Sequence, residues 1–207
     1  MDHLTRPELD AGLPWLLQSP SDAGHVELIV RRPALNQREV LEEAVLDLTV
    51  GLVGDNWLAR GNRHTPDHAP DPDAQVTVIN SRLAALVAGY RPSGTTAAGD
   101  PSIDRRALAG DQLYVDFDIS EDNLATGSYL QVGTAVIEIS AKPHTGCIKF
   151  TQRFGRQAVQ FVNSSTGRRL RLRGLNARMV VGGRVRAGDL VSKVSASDVA
   201  ALMQAVS

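Results

Sequence analysis

The segment richest in chemistry is Lys142-Pro143-His144-Thr145-Gly146-Cys147-Ile148-Lys149, which sets the only cysteine of the sequence beside an imidazole and two amines. A thiol becomes a nucleophile and a soft metal ligand once it ionises, and cations or the free N–H groups of a helix start favour that ionisation. Apolar residues at Ile148, Phe150, Phe154, Val159 and Phe161 predict a helix over Cys147 to Val162, so the thiol is expected where the helix begins. His144 is placed to accept the thiol proton or to hold an anion, with Lys149 and Arg153 adding positive charge. The plain alternative is a small buried thiol beside a structural histidine. Their coincidence in a loop shaped by Pro143 and Gly146 supports the chemical reading.

One cysteine excludes both an internal disulfide framework and a multi-cysteine zinc site. The formal net charge of −1 conceals a dipolar chain: residues 1–141 carry 10 Lys/Arg against 21 Asp/Glu, and residues 142–207 carry 12 against 2. Guanidinium pairs phosphate as a bidentate fork, so Arg153, Arg156, Arg168, Arg169, Arg171, Arg173, Arg178, Arg184 and Arg186 could meet an anionic ligand. The alternative is a solvated basic face that pairs with the acidic half. Two other segments compete. His64-Thr65-Pro66-Asp67-His68 has metal-ligand residue types, but Pro66, Pro70 and Pro72 forbid the helix that would align the two rings, and a solvated loop is expected. The alternating run from Arg168 to Arg173 reads as a strand with Leu170 and Leu172 on one face; with aromatics at 4% of the chain no stacking platform accompanies it, which argues against nucleic-acid binding.

The elements that would position these residues follow from periodicity. Val26, Leu28 and Val30 share one face of a strand, and Asn36 with Glu39 opens a helix whose apolar positions are Val40, Leu41, Ala44, Val45 and Leu48. Gly54 to Asp73 reads as a long loop, with Trp57 a packing residue. Gln75 to Asn80 is a strand, Ser81 to Ala88 a helix, and Asp100-Pro101 a second helix start. Strands are expected from Gln112, over Tyr129 to Val132 and over Thr134 to Ser140; Val162 to Gly167 reads as a polar loop, and Gly182-Gly183 as a hairpin turn. Short strands with helices between them predict an α+β protein, mainly β, built on a barrel or rolled sheet. The 207 residues suit one domain, no apolar run has the ~18 residues of a membrane span, and the N-terminus lacks a leader pattern, so a cytoplasmic protein is expected.

Taken in order, Gly51-Leu52-Val53-Gly54-Asp55, Ala109-Gly110-Asp111-Gln112-Leu113, Val132 to Ile139, Pro143-His144-Thr145-Gly146-Cys147, Arg153-Phe154-Gly155, Arg173 to Arg178 and Gly188-Asp189 resemble the MOSC domain, named for the C-terminal domain of molybdenum cofactor sulfurases. The resemblance covers about residues 26 to 194, leaving residues 1–25 as an extension and 195–207 as a tail with a short helix. It implies a MOSC-like β-barrel that binds molybdenum cofactor (molybdopterin) or carries sulfur as a persulfide on Cys147, with Cys147 as metal ligand. Mapped residue by residue, only Cys147 inherits such a role; His144 stays its catalytic partner on the reading of the loop, and Arg153, Arg156, Arg173 and Arg178, which lie nearest the matched motifs, join Asp55 and Asp111 of the Gly-Asp motifs as cofactor-binding candidates. Family members often carry Asn where Gln112 stands, a departure that concerns the role of that loop. Pyridoxal phosphate, which the fused sulfurases use, needs a Schiff-base lysine, and only Lys142, Lys149 and Lys193 exist here, which argues against it. The length leaves no room for a fused desulfurase, so a separate cysteine desulfurase or electron-transfer protein is the expected partner. Beside this stand a metal-free Cys147/His144 nucleophilic transferase or hydrolase and a non-catalytic module for an anionic ligand. Substrate and oligomeric state are not encoded in these patterns.

Overall fold

A computed structural model describes residues 3–62, 65–89 and 104–206 of the chain. Its strands are β1 (Ala23–Arg31), β2 (Glu39–Leu41), β3 (Glu43–Asp47), β4 (Gly51–Leu52), β5 (Val76–Asn80) and β6 (Leu113–Asp116) in the first part. They continue as β7 (Tyr129–Val132), β8 (Ala135–Ile139), β9 (Leu175–Val181), β10 (Gly183–Arg186) and β11 (Leu190–Val194). Helices are α1 (Arg6–Leu16), α2 (Trp57–Arg60), α3 (Ser81–Val87), α4 (Ile148–Phe154), α5 (Arg156–Val162), α6 (Ser165–Arg169) and α7 (Ala196–Val206).

Seven strands close into a barrel in the order β1, β6, β5, β9, β8, β7, β11 and back to β1, with β2 added on the outer edge of β1. Only the β5 and β6 pair is parallel. A small sheet of β10, β3 and β4 lies beside the ring. The interior is filled by Val26, Ile29, Val78, Leu113, Val115, Leu130, Ile137, Ile139 and Val191, all essentially inaccessible to water. A second core lies outside the wall, where Leu28, Val30, Ile79 and Tyr114 meet Leu9 of α1, Leu83 of α3 and Phe150, Phe154 and Phe161 of α4 and α5. The wall is therefore buried on both faces along β5, β6 and the Leu28–Val30 part of β1, which explains why these stretches are nearly continuous apolar runs.

The barrel strands β5 to β8, and helices α3 and α7, lie where periodicity puts them. Several expectations fail for tertiary reasons. Val26, Leu28 and Val30 do not share a face: the register of β1 against β6 shifts between Val26 and Leu28, so Val26 and Ile29 point into the barrel while Leu28 and Val30 face the helices. Residues 36–51 form β2, β3 and β4 instead of a helix, since Asn36 has a left-handed φ of 64° and the buried residues of β3, Ala44 and Leu46, alternate with exposed Val45. Gly182-Gly183 is not a hairpin turn: β9 stays in the barrel, whereas β10 crosses to pair with β3. The Arg168 to Arg173 run ends α6 and turns through Arg171, and Val162 to Gly167 contains the start of α6, capped by the Ser164 hydroxyl accepting from Gly167 N–H at 3.0 Å. The long helix from Cys147 is two, broken at Gly155 with φ 89°. Asp100-Pro101 and His64 lie outside the described residues.

Candidate functional site

Cys147 is the residue immediately before α4, with extended backbone, and its thiol is exposed. Two asparagines hold its loop. Asn163, at the end of α5, accepts from Gly146 N–H at 2.8 Å and donates to Gly146 C=O at 3.0 Å, while Asn176 on β9 donates to the carbonyls of Lys142 and Pro143. Gly146 packs closely on α5: a Cβ there would lie 2.7 Å from a methyl of Val159 and 3.0 Å from one of Val162, so a larger residue would displace these side chains.

The loop forms one wall of a cleft of about 280 Å³. Cys147, Lys149, Phe150 and Arg153 line it from this side; Arg32, Asn36 and Arg38 come from the segment after β1, Asn56 and Arg60 from α2, and His144, Gly110, Arg173 and Asn176 from deeper in the fold. Six lining residues are cationic and none is a carboxylate. Two of the six are neutralised from behind. Asp55, fully buried, accepts from Nε and Nη2 of Arg32 at 2.8 Å each, and fully buried Asp111 accepts from Nη1 of Arg173 at 2.6 Å. These carboxylates aim the guanidinium groups at the cleft without lining it. Arg38 and Arg153 have no carboxylate partner among the described residues; burial and the charges of Arg153 and Arg32 together hold the Arg38 pKa below its ordinary value. Three guanidinium groups gather at Gly110: its carbonyl accepts from Arg32 at 3.0 Å, and a Cβ built there would lie 2.8 Å from Arg38 and 3.4 Å from Arg153. Its φ of 82° also selects glycine.

Buried polar atoms without a hydrogen-bond partner are rare in folded proteins and call for a cause. Among the described residues the side chains that have them are Arg38, Asn56, Asp111, Tyr114, His144 and Arg173. Four of these line the cleft, and Asp111 and Tyr114 stand directly behind it. His144 Nε2 is 3.6 Å from Asp111, too far for a hydrogen bond, and burial followed by the charge of Arg173 pushes its pKa down to about 4. The imidazole is thus neutral at pH 7 and a weak acceptor for a thiol proton.

Of the sequence candidates, the structure brings Cys147, His144, Arg153 and Arg173 to the cleft, with Asp55 and Asp111 in support. Arg156 starts α5 away from it, and Arg178 is tied on the outer barrel surface to Glu138 at 2.8 Å. Sequence reasoning missed Arg32, Arg38 and Arg60, and it placed Asn56 and Asn176 in segments it singled out without giving either a role. Reading residues 36–51 as a helix hid Asn36 and Arg38 in a supposed helix cap; the Arg31-Arg32 pair that ends an apolar strand was the available signal. Gln112 lies in the barrel wall, where Oε1 accepts from Thr77 N–H at 2.7 Å and its hydroxyl at 2.8 Å, so this departure from the family pattern sits in packing. Trp57 is buried, and no cluster of three or more His, Cys, Asp or Glu among the described residues could hold a metal.

The family model described as the MOSC domain matches residues 65–192. No curated protein matches the sequence significantly. Among solved structures, the YuaD protein from Bacillus subtilis is similar at 14% identity and a TM-score of 0.57, over 82% of this chain and 94% of that one. YiiM from Geobacillus stearothermophilus follows at 13% identity and a TM-score of 0.54, over 83% and 75%. YiiM from Escherichia coli has 19% identity and a TM-score of 0.50, over 82% and 69%. At these identities the likeness is one of fold.

Proposed function

Because the chain belongs to the MOSC domain family, we propose that its basic cleft binds a phosphorylated pterin of the molybdenum cofactor type, with Cys147 supplying the one protein sulfur at the mouth. The observation that carries this reading is the concentration of unsatisfied buried polar atoms and uncompensated cations around one cleft that also presents an exposed thiol. A phosphate would satisfy Arg38 and Arg153, and the two guanidinium groups already fixed by Asp55 and Asp111 would present fixed donors to polar edges of the same ligand. A metal held here would take a soft thiolate from Cys147 and further ligands from the group that carries it, since no group of three or more His, Cys, Asp or Glu among the described residues could hold it alone. The bound group would supply the redox chemistry of molybdenum. The chain's own residues would bind it, orient it and, through neutral His144, offer a hydrogen-bonding nitrogen that carries no charge.

Sulfur carriage is the second reading, favoured by the exposure of Cys147. There the Cys147 thiolate would attack the outer sulfur of a donor persulfide, the donor leaving as its thiol and Cys147 gaining the sulfur. The two readings part on one experiment: elemental and pterin analysis of protein from molybdenum-replete cells, wild type beside Cys147→Ala and Arg38→Gln. Cofactor binding predicts molybdenum in the wild type and its loss in Cys147→Ala, with pterin falling at least tenfold in Arg38→Gln. Wild-type protein with neither molybdenum nor pterin overturns it. In that case a persulfide on Cys147 after incubation with a cysteine desulfurase and cysteine would establish carriage.

A further inference from the structure

The acidic first part of the chain neutralises much of the basic second part. Lys142, Arg169, Arg173, Arg178, Arg184, Arg186 and Lys193 each meet a carboxylate from residues 1–141. Among the described residues that leaves Lys149, Arg153, Arg156, Arg168 and Arg171 without an ion pair. Lys149 and Arg153 line the cleft already described. Arg168 and Arg171 line a second one, of about 250 Å³, and only Arg156 lines neither.

The second cleft shares His144 and Arg173 with the first, which makes these two side chains the partition between them, and Cys147 does not reach it. Arg171 is built into it at a conformational cost. Its φ is 47°, the left-handed region that a long side chain seldom adopts, and such strain persists where surrounding structure imposes it and tends to mark functional positions. Its half-buried guanidinium is anchored on the carbonyls of Ile119 and Leu124, and burial lowers its pKa, so the fold keeps a partly desolvated cation there with only exposed Glu121 near it. Arg168 is oriented in turn by donating from Nε to Asn163 C=O at 3.0 Å, the same asparagine that clamps the thiol loop. Arg173 is more than nine-tenths buried and keeps an unpartnered Nε, and His144 an unpartnered Nδ1.

We propose that the second cleft is a binding site for the oxyanion of a small substrate, a carboxylate or phosphate held by Arg168 and Arg171, with His144 and Arg173 between it and the cofactor cleft. The word substrate rests on the cofactor reading above; the anion site does not. Carboxylate and phosphate share this chemistry, and titration with acetate beside inorganic phosphate distinguishes them.

The test is a two-dimensional NMR titration of the full chain with inorganic phosphate and, separately, acetate. It follows the amides of Thr126 and Thr145 for the second cleft and those of Asn36 and Gly110 for the first. In the wild type both sets should shift and saturate. In Arg168→Gln/Arg171→Asn, where Asn tolerates the left-handed backbone, the Thr126 and Thr145 shifts should weaken at least tenfold while the others persist. Arg38→Gln should give the converse. Thr126 and Thr145 amides that do not move in the wild type, or that titrate unchanged in the double variant, overturn the proposal. Molybdenum and pterin content is scored separately, so a failed cofactor reading with an intact second-cleft titration, or the reverse, is recognised as such.

Discussion

Arg32 and Arg173 each stand against one fully buried carboxylate, and that arrangement sets how each arginine acts. A guanidinium pinned by Asp55 or Asp111 is a directional donor with little net charge, whereas Arg38 and Arg153 bring charge without a partner. Removing a buried carboxylate would leave an uncompensated cation, which is why these two aspartates are inseparable from the site although neither reaches a ligand. His144 makes the sharpest prediction at this scale. Its pKa is about 4 folded against about 6.5 in an unfolded chain. As pH falls below about 6.5 the unfolded state takes up a proton that the folded state refuses until about 4, so folding stability is lost across that window and is unaffected above it. The loss amounts to at most about 3 kcal/mol. Urea unfolding of wild type and His144→Gln from pH 7 to 4 should show the two curves converging by that order as pH falls; parallel curves would contradict the buried neutral imidazole.

At the scale of elements, the break between α4 and α5 decides where the cations go. One continuous helix from Cys147 to Val162 would carry Arg153 and Phe161 on a single axis; the turn at Gly155 lets α4 present Arg153 to Leu108 C=O, at 2.8 Å, and to the cleft, while α5 packs Phe161 into the outer core. Gly155 has φ 89°, and a Cβ there would lie 2.7 Å from His3. Gly155→Ala should therefore destabilise the protein by about 1–3 kcal/mol, since φ 89° with ψ 165° is a region open essentially to glycine alone and the clash is with His3 Cβ as well as its ring. Thermal unfolding measures the cost, and an unchanged midpoint would show that the break is not held by that φ. The failed helix at 36–51 belongs to this scale as well. Its apolar residues satisfy helical spacing, but β10 offers a strand edge, and pairing Ala44 with Val185 and Leu46 with Gly183 buries alternate residues instead.

For the molecule as a whole, barrel closure brings the cleft together. The family match spans residues 65–192, yet Arg32, Arg38 and Arg60, with Asp55 behind Arg32, precede it, and the three cations reach the cleft because β1 is inserted between β6 and β11. Closure depends on backbone approach at Gly24, which pairs with Val191 and whose added Cβ would lie 2.0 Å from the carbonyl oxygen of Asp116. That clash is with backbone and has no side chain to yield. Gly24→Ala is expected to cost about 3 kcal/mol, a fall in Tm of roughly 6–12 °C for a chain of this size. Calorimetry checks it, and a midpoint within a degree of wild type would mean that the ring accommodates the methyl. Among the described residues no helix is long and apolar enough to cross a membrane.

The sequence by itself determined the elements whose environment is one-sided or uniform. The barrel strands β5 to β8, the helices α3 and α7, and a thiol at the start of a helix were legible because local periodicity and turn chemistry suffice for them. The ordered motifs around Cys147 were equally legible, and with them the family. Tertiary structure alone decided which of many cations matter. Charge is additive along a chain but neutralisation is pairwise in space, so only the fold shows Arg178 tied to Glu138 while Arg38 and Arg153 stand uncompensated over Gly110. It also decided the second cleft, because the strained turn at Arg171 arises where α6 ends against loops that are about 50 residues earlier in the chain. Contacts of that separation leave no periodic trace in a sequence.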